Sequence, residues 1–199
     1  FYKSMVQRHM YATGKKYYVA KNPAFSAKIE TLAEFFPEAR IIYLARNPLD
    51  MLPSTVSWIN YARRQFTDPK EKWLYLDEIV DMTQHWYSHP LKYLDAHPSP
   101  RNLILNYDDL IQRPEAVLRA FYEQFGYPDK PGLDIIVDEA VKETMSFNSD
   151  HVYSYEEMGF TRQQIVELYP EIFERFGFEK REPLPTNAEK HSAQIPATD

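Results

Sequence analysis

The chain contains no cysteine. That excludes a disulfide scaffold, a thiolate zinc site and a cysteine nucleophile. It also gives no support for an oxidising, secreted setting. Glycine is nearly as scarce, with five in 199 residues. A glycine-rich loop that cradles a phosphate in backbone N–H groups is therefore missing. The nearest approach, "ATGKKY", has His9 where the first glycine belongs and Lys16 where serine or threonine belongs. Positive charge is short as well: 23 lysines and arginines stand against 29 carboxylates, a net charge of −6. A general nucleic-acid binder needs a basic surface to neutralise phosphates, so any phosphate site here is a local exception. No apolar run approaches the roughly 20 residues of a membrane span. These absences together point to a cytoplasmic protein.

What is present supports a folded domain. Hydrophobic residues make up 44% and aromatic residues 15% of the chain, enough for a real core. The length suits one domain, taken as residues 1–180, followed by a polar tail at 181–199. The chain opens on "FYKSMVQRHMY", with Phe1 rather than methionine in first place and without the pattern of a signal peptide. The expectation is a fragment whose beginning lies upstream.

Strand and helix signals alternate. "YYVAK", 17–21, predicts a short buried strand. Phe25, Ile29, Leu32 and Phe36 then recur at helical spacing and Pro37 marks the stop. "RIIYLA", 40–45, predicts a second strand, which would make a βαβ unit with parallel strands. Leu49, Leu52, Val56 and Ile59 predict the next helix. A long helix at about 70–95 presents Leu76, Ile79, Val80, Thr83, Trp86 and Tyr87 on one face. "RNLILNY", 101–107, predicts a third strand. Pro114 and Gly126 bracket another helix with proline first and glycine last. Two more helices follow, at about 133–145 and 161–176. The expected fold is α/β, a parallel sheet flanked by helices. Such sheets bind ligands at the carboxyl ends of their strands, which singles out Lys21, Arg46 and Tyr107.

Arg46 has the richest surroundings. Asn47 suits an N-cap, Pro48 the first helical position, and Asp50 the third, where it can reach back as a capping-box acid. An arginine beside open helix N–H groups can form an anion site. Alternatively, Arg46 pairs with Asp50 and Ser54 is an ordinary helical serine; the residues alone leave both readings open. Pro53, inside the helix, can kink it just before Ser54. Lys21 can stabilise negative charge developing in a transition state or simply be solvated. Asp81, His85 and His89 share a helix face, but a solvated or packing face is expected there rather than a metal site. Trp58, Tyr61, Trp73 and Trp86 are expected in the core or in helix packing.

"FPEARIIYLARNPLDMLPS" closely resembles the 3′-phosphate-binding segment of the sulfotransferase family: a proline-containing helix end, a buried strand, Arg-Asn-Pro, and a serine eight residues past the arginine. "AKNP", "NYDDLIQRPEAVLRAFYEQFGY", "HVYSYEEMGFT" and "IVELYPEIFERFGF" resemble further family segments in the family's order. The likeness is to the carbohydrate-type and bacterial branch, over about 17–178. It implies a three-layer, P-loop-like fold. It also implies transfer of a sulfuryl group from 3′-phosphoadenosine 5′-phosphosulfate (PAPS), as co-substrate, to a hydroxyl or amine of a small molecule or glycan. By the same likeness, Arg46 and Ser54 would bind the 3′-phosphate and Tyr107 would border the nucleotide. Lys21 would lie near the transferred group as the catalytic residue, and His151 and Tyr153 would fall in a late closing loop. No metal, nucleic acid or membrane span enters this scheme. The family's phosphosulfate loop is expected upstream of the matched segments. The alternatives are a non-catalytic nucleotide-binding or interaction module of the same fold, or a P-loop kinase relative.

Overall fold

Helix comes first in the chain, and the strands follow. The computed structural model describes residues 1–68, 70, 72–127, 132–146 and 155–178. Helix α1 spans Tyr2–Thr13, and a 3₁₀ turn at Pro23–Lys28 leads into α2, Ile29–Phe35. Strand β1, Ile41–Ala45, runs into α3, Pro48–Arg64, and then α4, Leu76–Ala96. Strand β2, Asn102–Asn106, is followed by α5, Tyr107–Gln112, α6, Pro114–Gln124, and α7, Leu133–Ser146. A 3₁₀ turn at Glu156–Met158 precedes α8, Arg162–Leu168, and α9, Pro170–Phe176.

β1 and β2 pair in parallel with no stagger, Ile41 opposite Asn102 and Ala45 opposite Asn106. Parallel strands need a long crossover, and α3 and α4 supply it. The core lies between these two helices and the C-terminal pair. Leu52 and Val56 of α3 and Ile79, Tyr87 and Leu91 of α4 meet Ile165, Tyr169 and Phe173. Pro53 and Pro90 are both fully buried inside unbroken helical spans. α3 is tied to the start of α4 by buried Asn60, whose Oδ1 accepts the Leu74 N–H at 3.1 Å. Tyr75, directly after, is the one non-glycine described with positive φ, at 59°. Arg175 of α9 grips Asp95 of α4 with two bonds of 2.6 and 2.8 Å. No helix among the described residues is long and apolar enough to cross a membrane.

Several expectations need correction. Residues 17–21 form no strand, and Val19 is 90% exposed. A strand is held by its ladder, and β1 pairs only with β2 among the described residues. The β-forming residues of "YYVAK" therefore have nothing to join. The parallel pair is instead β1 with β2, bridged by two helices. The helical spacing of 25–36 splits into the 3₁₀ turn and α2. α4 begins at Leu76, not near 70, and 161–176 is two helices divided at Pro170. α1 had no counterpart in the sequence reading; it buries only Val6 and has no side-chain cap. Trp58 and Tyr61 are 60% and 67% exposed, so they pack in no core. Trp73 is half-buried, and its indole N–H donates to the Glu157 carbonyl at 3.0 Å. The 181–199 tail, His151 and Tyr153 lie outside the described residues.

Candidate functional site

Because the strands pair without stagger, Ala45 and Asn106 end level with one another. Each strand then turns into a helix through an asparagine. The Asn47 Oδ1 accepts the Leu49 N–H at 3.0 Å, and the Asn106 Oδ1 accepts the Asp108 N–H at 2.9 Å. Asparagine side chains cap helices in this way because they satisfy N–H groups the helix leaves free. Two helix N-termini thus open at one edge of the sheet. The capping box expected from Asp50 does not form. Its N–H donates to the Asn47 carbonyl at 3.0 Å, and its carboxylate faces Arg46 and Asp108 instead.

Arg46 stands between the two helix starts. Its guanidinium lies over the Tyr107 ring, 5.4 Å from the centroid, a favourable cation–π placement. Its Nε is buried and has no hydrogen-bond partner among the described residues. A buried guanidinium N–H normally finds an acceptor; Arg63 Nε is in the same state, but Arg46 alone of the two stands at the carboxyl end of β1. The backbone of Arg46 is fixed from below: the Tyr87 hydroxyl donates to its carbonyl at 2.5 Å. Burial raises the Tyr87 pKa well above its ordinary value, with smaller contributions of both signs from its neighbours, so the phenol stays a donor.

Two carboxylates modulate this cation. The Asp50 carboxyl is pushed above its ordinary 3.8, chiefly by burial; Arg46 pulls it back and Asp108 pushes it up. Asp108, in the first turn of α5, is itself buried. Ser54 lies one turn beyond Asp50 on the same face of α3. It is half-buried, and its hydroxyl has no partner among the described residues.

The structure thus joins Arg46 to Tyr107 and places Ser54 on the same helix face as Asp50. It does not join Lys21 to them. Lys21 is exposed, follows no strand, and makes no bond or ring contact among the described residues. Its surroundings do repeat those of Arg46. Asn22 caps the 3₁₀ turn, its Oδ1 accepting the Ala24 N–H at 3.0 Å, with Pro23 at the first position. "AKNP" and "ARNP" are the same device used twice, a cation followed by a capped turn. Tyr107 is the first residue of α5 rather than the last of a strand. His85 and His89 stack at 4.8 Å, and no group of three metal-ligating side chains occurs among the described residues. Asp108 and Tyr87 were not foreseen at this site. The first aspartate of "NYDDL", two residues after a capping asparagine, was the available signal for a first-turn acid, whereas nothing local signals the reach of Tyr87 across to β1.

The geometry is that of an anion-binding edge on an α/β sheet, and comparison with known proteins gives the class. The sequence model described as "Sulfotransferase family" matches residues 1–131. The chain belongs to the sulfotransferase family. The fold agrees. The crystal structure of sulfotransferase STF9 from Mycobacterium avium superposes with a TM-score of 0.60 at 21% identity, over 78% of this chain and 40% of that one. The α/β, P-loop-like fold expected from the sequence is therefore the fold observed. Among curated proteins, the omega-hydroxy-beta-dihydromenaquinone-9 sulfotransferase Stf3 of Mycobacterium bovis is 27% identical over 186 residues. The same match is found for Stf3 of Mycobacterium tuberculosis. Those 186 residues are 89% of this chain and 45% of each relative. The chain thus spans about half the length of the curated relatives it matches.

Proposed function

We propose that this chain forms the 3′-phosphate side of a PAPS site in an enzyme that transfers a sulfuryl group. PAPS, when bound, supplies the activated sulfuryl group that passes to the acceptor. Arg46 and Ser54 bind the 3′-phosphate, the Tyr107 ring borders the nucleotide, and Lys21 lies toward the transferred group. The observation that carries this reading is the buried Nε of Arg46, without a partner among the described residues, at the ligand edge of the sheet. An arginine fork binds phosphate oxygens through two bonds, and the Ser54 hydroxyl adds a third donor. Asp50 and Asp108 oppose an anion.

Transfer itself is an in-line displacement that depends on positioning and on cations facing the developing charge. Lys21 is the cation assigned to that task. The acceptor group is a hydroxyl or amine. The names of the curated relatives favour a hydroxyl on an apolar carrier, and the exposed rings of Trp58 and Tyr61 suit such a carrier as well as they suit a sugar. A cytoplasmic location is part of the same proposal.

One observation favours a second reading, a module that binds the nucleotide without chemistry: Lys21 is exposed and makes no bond to the other site residues among the described residues. Calorimetry tests the shared premise. The chain should bind 3′-phosphoadenosine 5′-phosphate more tightly than adenosine 5′-phosphate. Equal affinities would overturn the assignment of Arg46 and Ser54. Sulfuryl transfer by the chain with its native flanking sequence, lost in Lys21→Ala at unchanged nucleotide affinity, separates the enzyme from the module.

A further inference from the structure

We infer that Tyr87 is a positioning residue for Arg46, a hydroxyl from the middle of α4 that fixes the junction on which the guanidinium stands. The inference rests on the reading of Arg46 as a 3′-phosphate ligand. Arg46 lies past the last paired residue of β1, Ala45, and before the cap of α3, Asn47. Neither ladder holds it, so its backbone is where the side chain's aim is set. The Tyr87 hydroxyl meets its carbonyl there. Tyr87 is 4% exposed, and a phenol ring has few rotatable bonds, so the bond is made by a stiff arm.

The arm is itself braced. The Tyr87 ring meets the Tyr169 ring edge-on at 5.7 Å. The Tyr169 hydroxyl shares a 2.7 Å hydrogen bond with Thr83, one turn before Tyr87 on α4. A path of buried contacts therefore runs from the junction of α8 and α9 to the end of β1. The guanidinium end has no such brace. It has the Tyr107 ring beneath it and an Nε without a partner among the described residues. Two parallel bonds to a phosphate tolerate little misplacement, and a shift near 1 Å is costly at such sites.

Tyr87→Phe removes the hydroxyl and keeps the ring. The readout is the ratio of affinities for 3′-phosphoadenosine 5′-phosphate and adenosine 5′-phosphate, which a general loss of stability does not move. The ratio should fall about three- to tenfold, the worth of one hydrogen bond. Tyr169→Phe, which removes only the brace, should lower it about twofold. Tyr43→Phe is the matched control. Its hydroxyl also joins β1 to α4, donating to the Trp86 carbonyl at 3.2 Å, but it does not touch Arg46. It should lower the melting temperature and leave the ratio unchanged. A wild-type ratio in both Tyr87→Phe and Tyr169→Phe, or an equal drop in Tyr43→Phe, overturns the inference while leaving the nucleotide reading intact. Equal affinity of the wild-type chain for the two nucleotides overturns the reading of Arg46, and this inference with it.

Discussion

Replacing Asp50 with asparagine removes a charge from beside Arg46 and keeps the shape of the side chain. Burial is the largest cause of the raised Asp50 pKa, and it outweighs the pull of Arg46. The dipole at the first turn of α3 favours a carboxylate by about 0.3–1 kcal/mol and so works against burial. The sign of the pH effect follows. With its folded pKa above 3.8, ionised Asp50 destabilises the native state relative to the unfolded chain. That penalty is fully present above the folded pKa. It fades as pH falls through that value toward 3.8, where the unfolded chain takes up its proton too. Asp50→Asn should therefore melt above the wild type at pH 7. The gap should close as pH is lowered toward 4. Thermal melts followed by circular dichroism at stepped pH give the answer. The same variant should bind 3′-phosphoadenosine 5′-phosphate about fivefold tighter at pH 7, since one anion facing Arg46 is gone. A lower melting temperature with a gap independent of pH would refute this reasoning. It would make Asp50 an ion-pair partner that Arg46 requires, with no free guanidinium for a ligand.

Two further outcomes follow from the same geometry. Phe173→Ala empties a fully buried position between the crossover helices and α9; it should cost about 3–5 kcal/mol in denaturant unfolding, and a loss under 1 kcal/mol would mean that the C-terminal helices are not part of the core. Lys21→Ala should leave nucleotide affinity within about twofold, because an exposed lysine without partners contributes little to binding, while lowering any sulfuryl transfer; an affinity loss of tenfold or more would instead place Lys21 on the nucleotide.

Local signals carried much of the site. Asn47-Pro48 announced the start of α3 because the cap and the proline act within a few residues of each other. The apolar run 41–45 announced β1 because both of its ends are marked. "YYVAK" misled for the opposite reason. Its β-branched and aromatic residues express a preference that only a neighbouring strand can realise, and β1 has β2 beside it instead. Trp58 and Tyr61 misled because ring size suggests burial, whereas the helix face alone decides it. Tyr87 was readable as a packed residue of α4. Its bond to Arg46 spans 41 positions and has no signature in the sequence near either residue. Asp50 was recognised as a first-turn acid, but which group it faces is set by where β2 delivers Asp108.

The central claim is that Arg46 grips the 3′-phosphate of the donor nucleotide. The direct test measures four affinities by calorimetry: wild type and Arg46→Ala, each with 3′-phosphoadenosine 5′-phosphate and with adenosine 5′-phosphate. In the wild type the extra phosphate should be worth about 1.5–3 kcal/mol, the range of a charge-assisted bond. In Arg46→Ala nearly all of that difference should vanish, while affinity for adenosine 5′-phosphate stays within about twofold. A variant that keeps the full wild-type difference would contradict the account, for the 3′-phosphate would then be held by something other than Arg46.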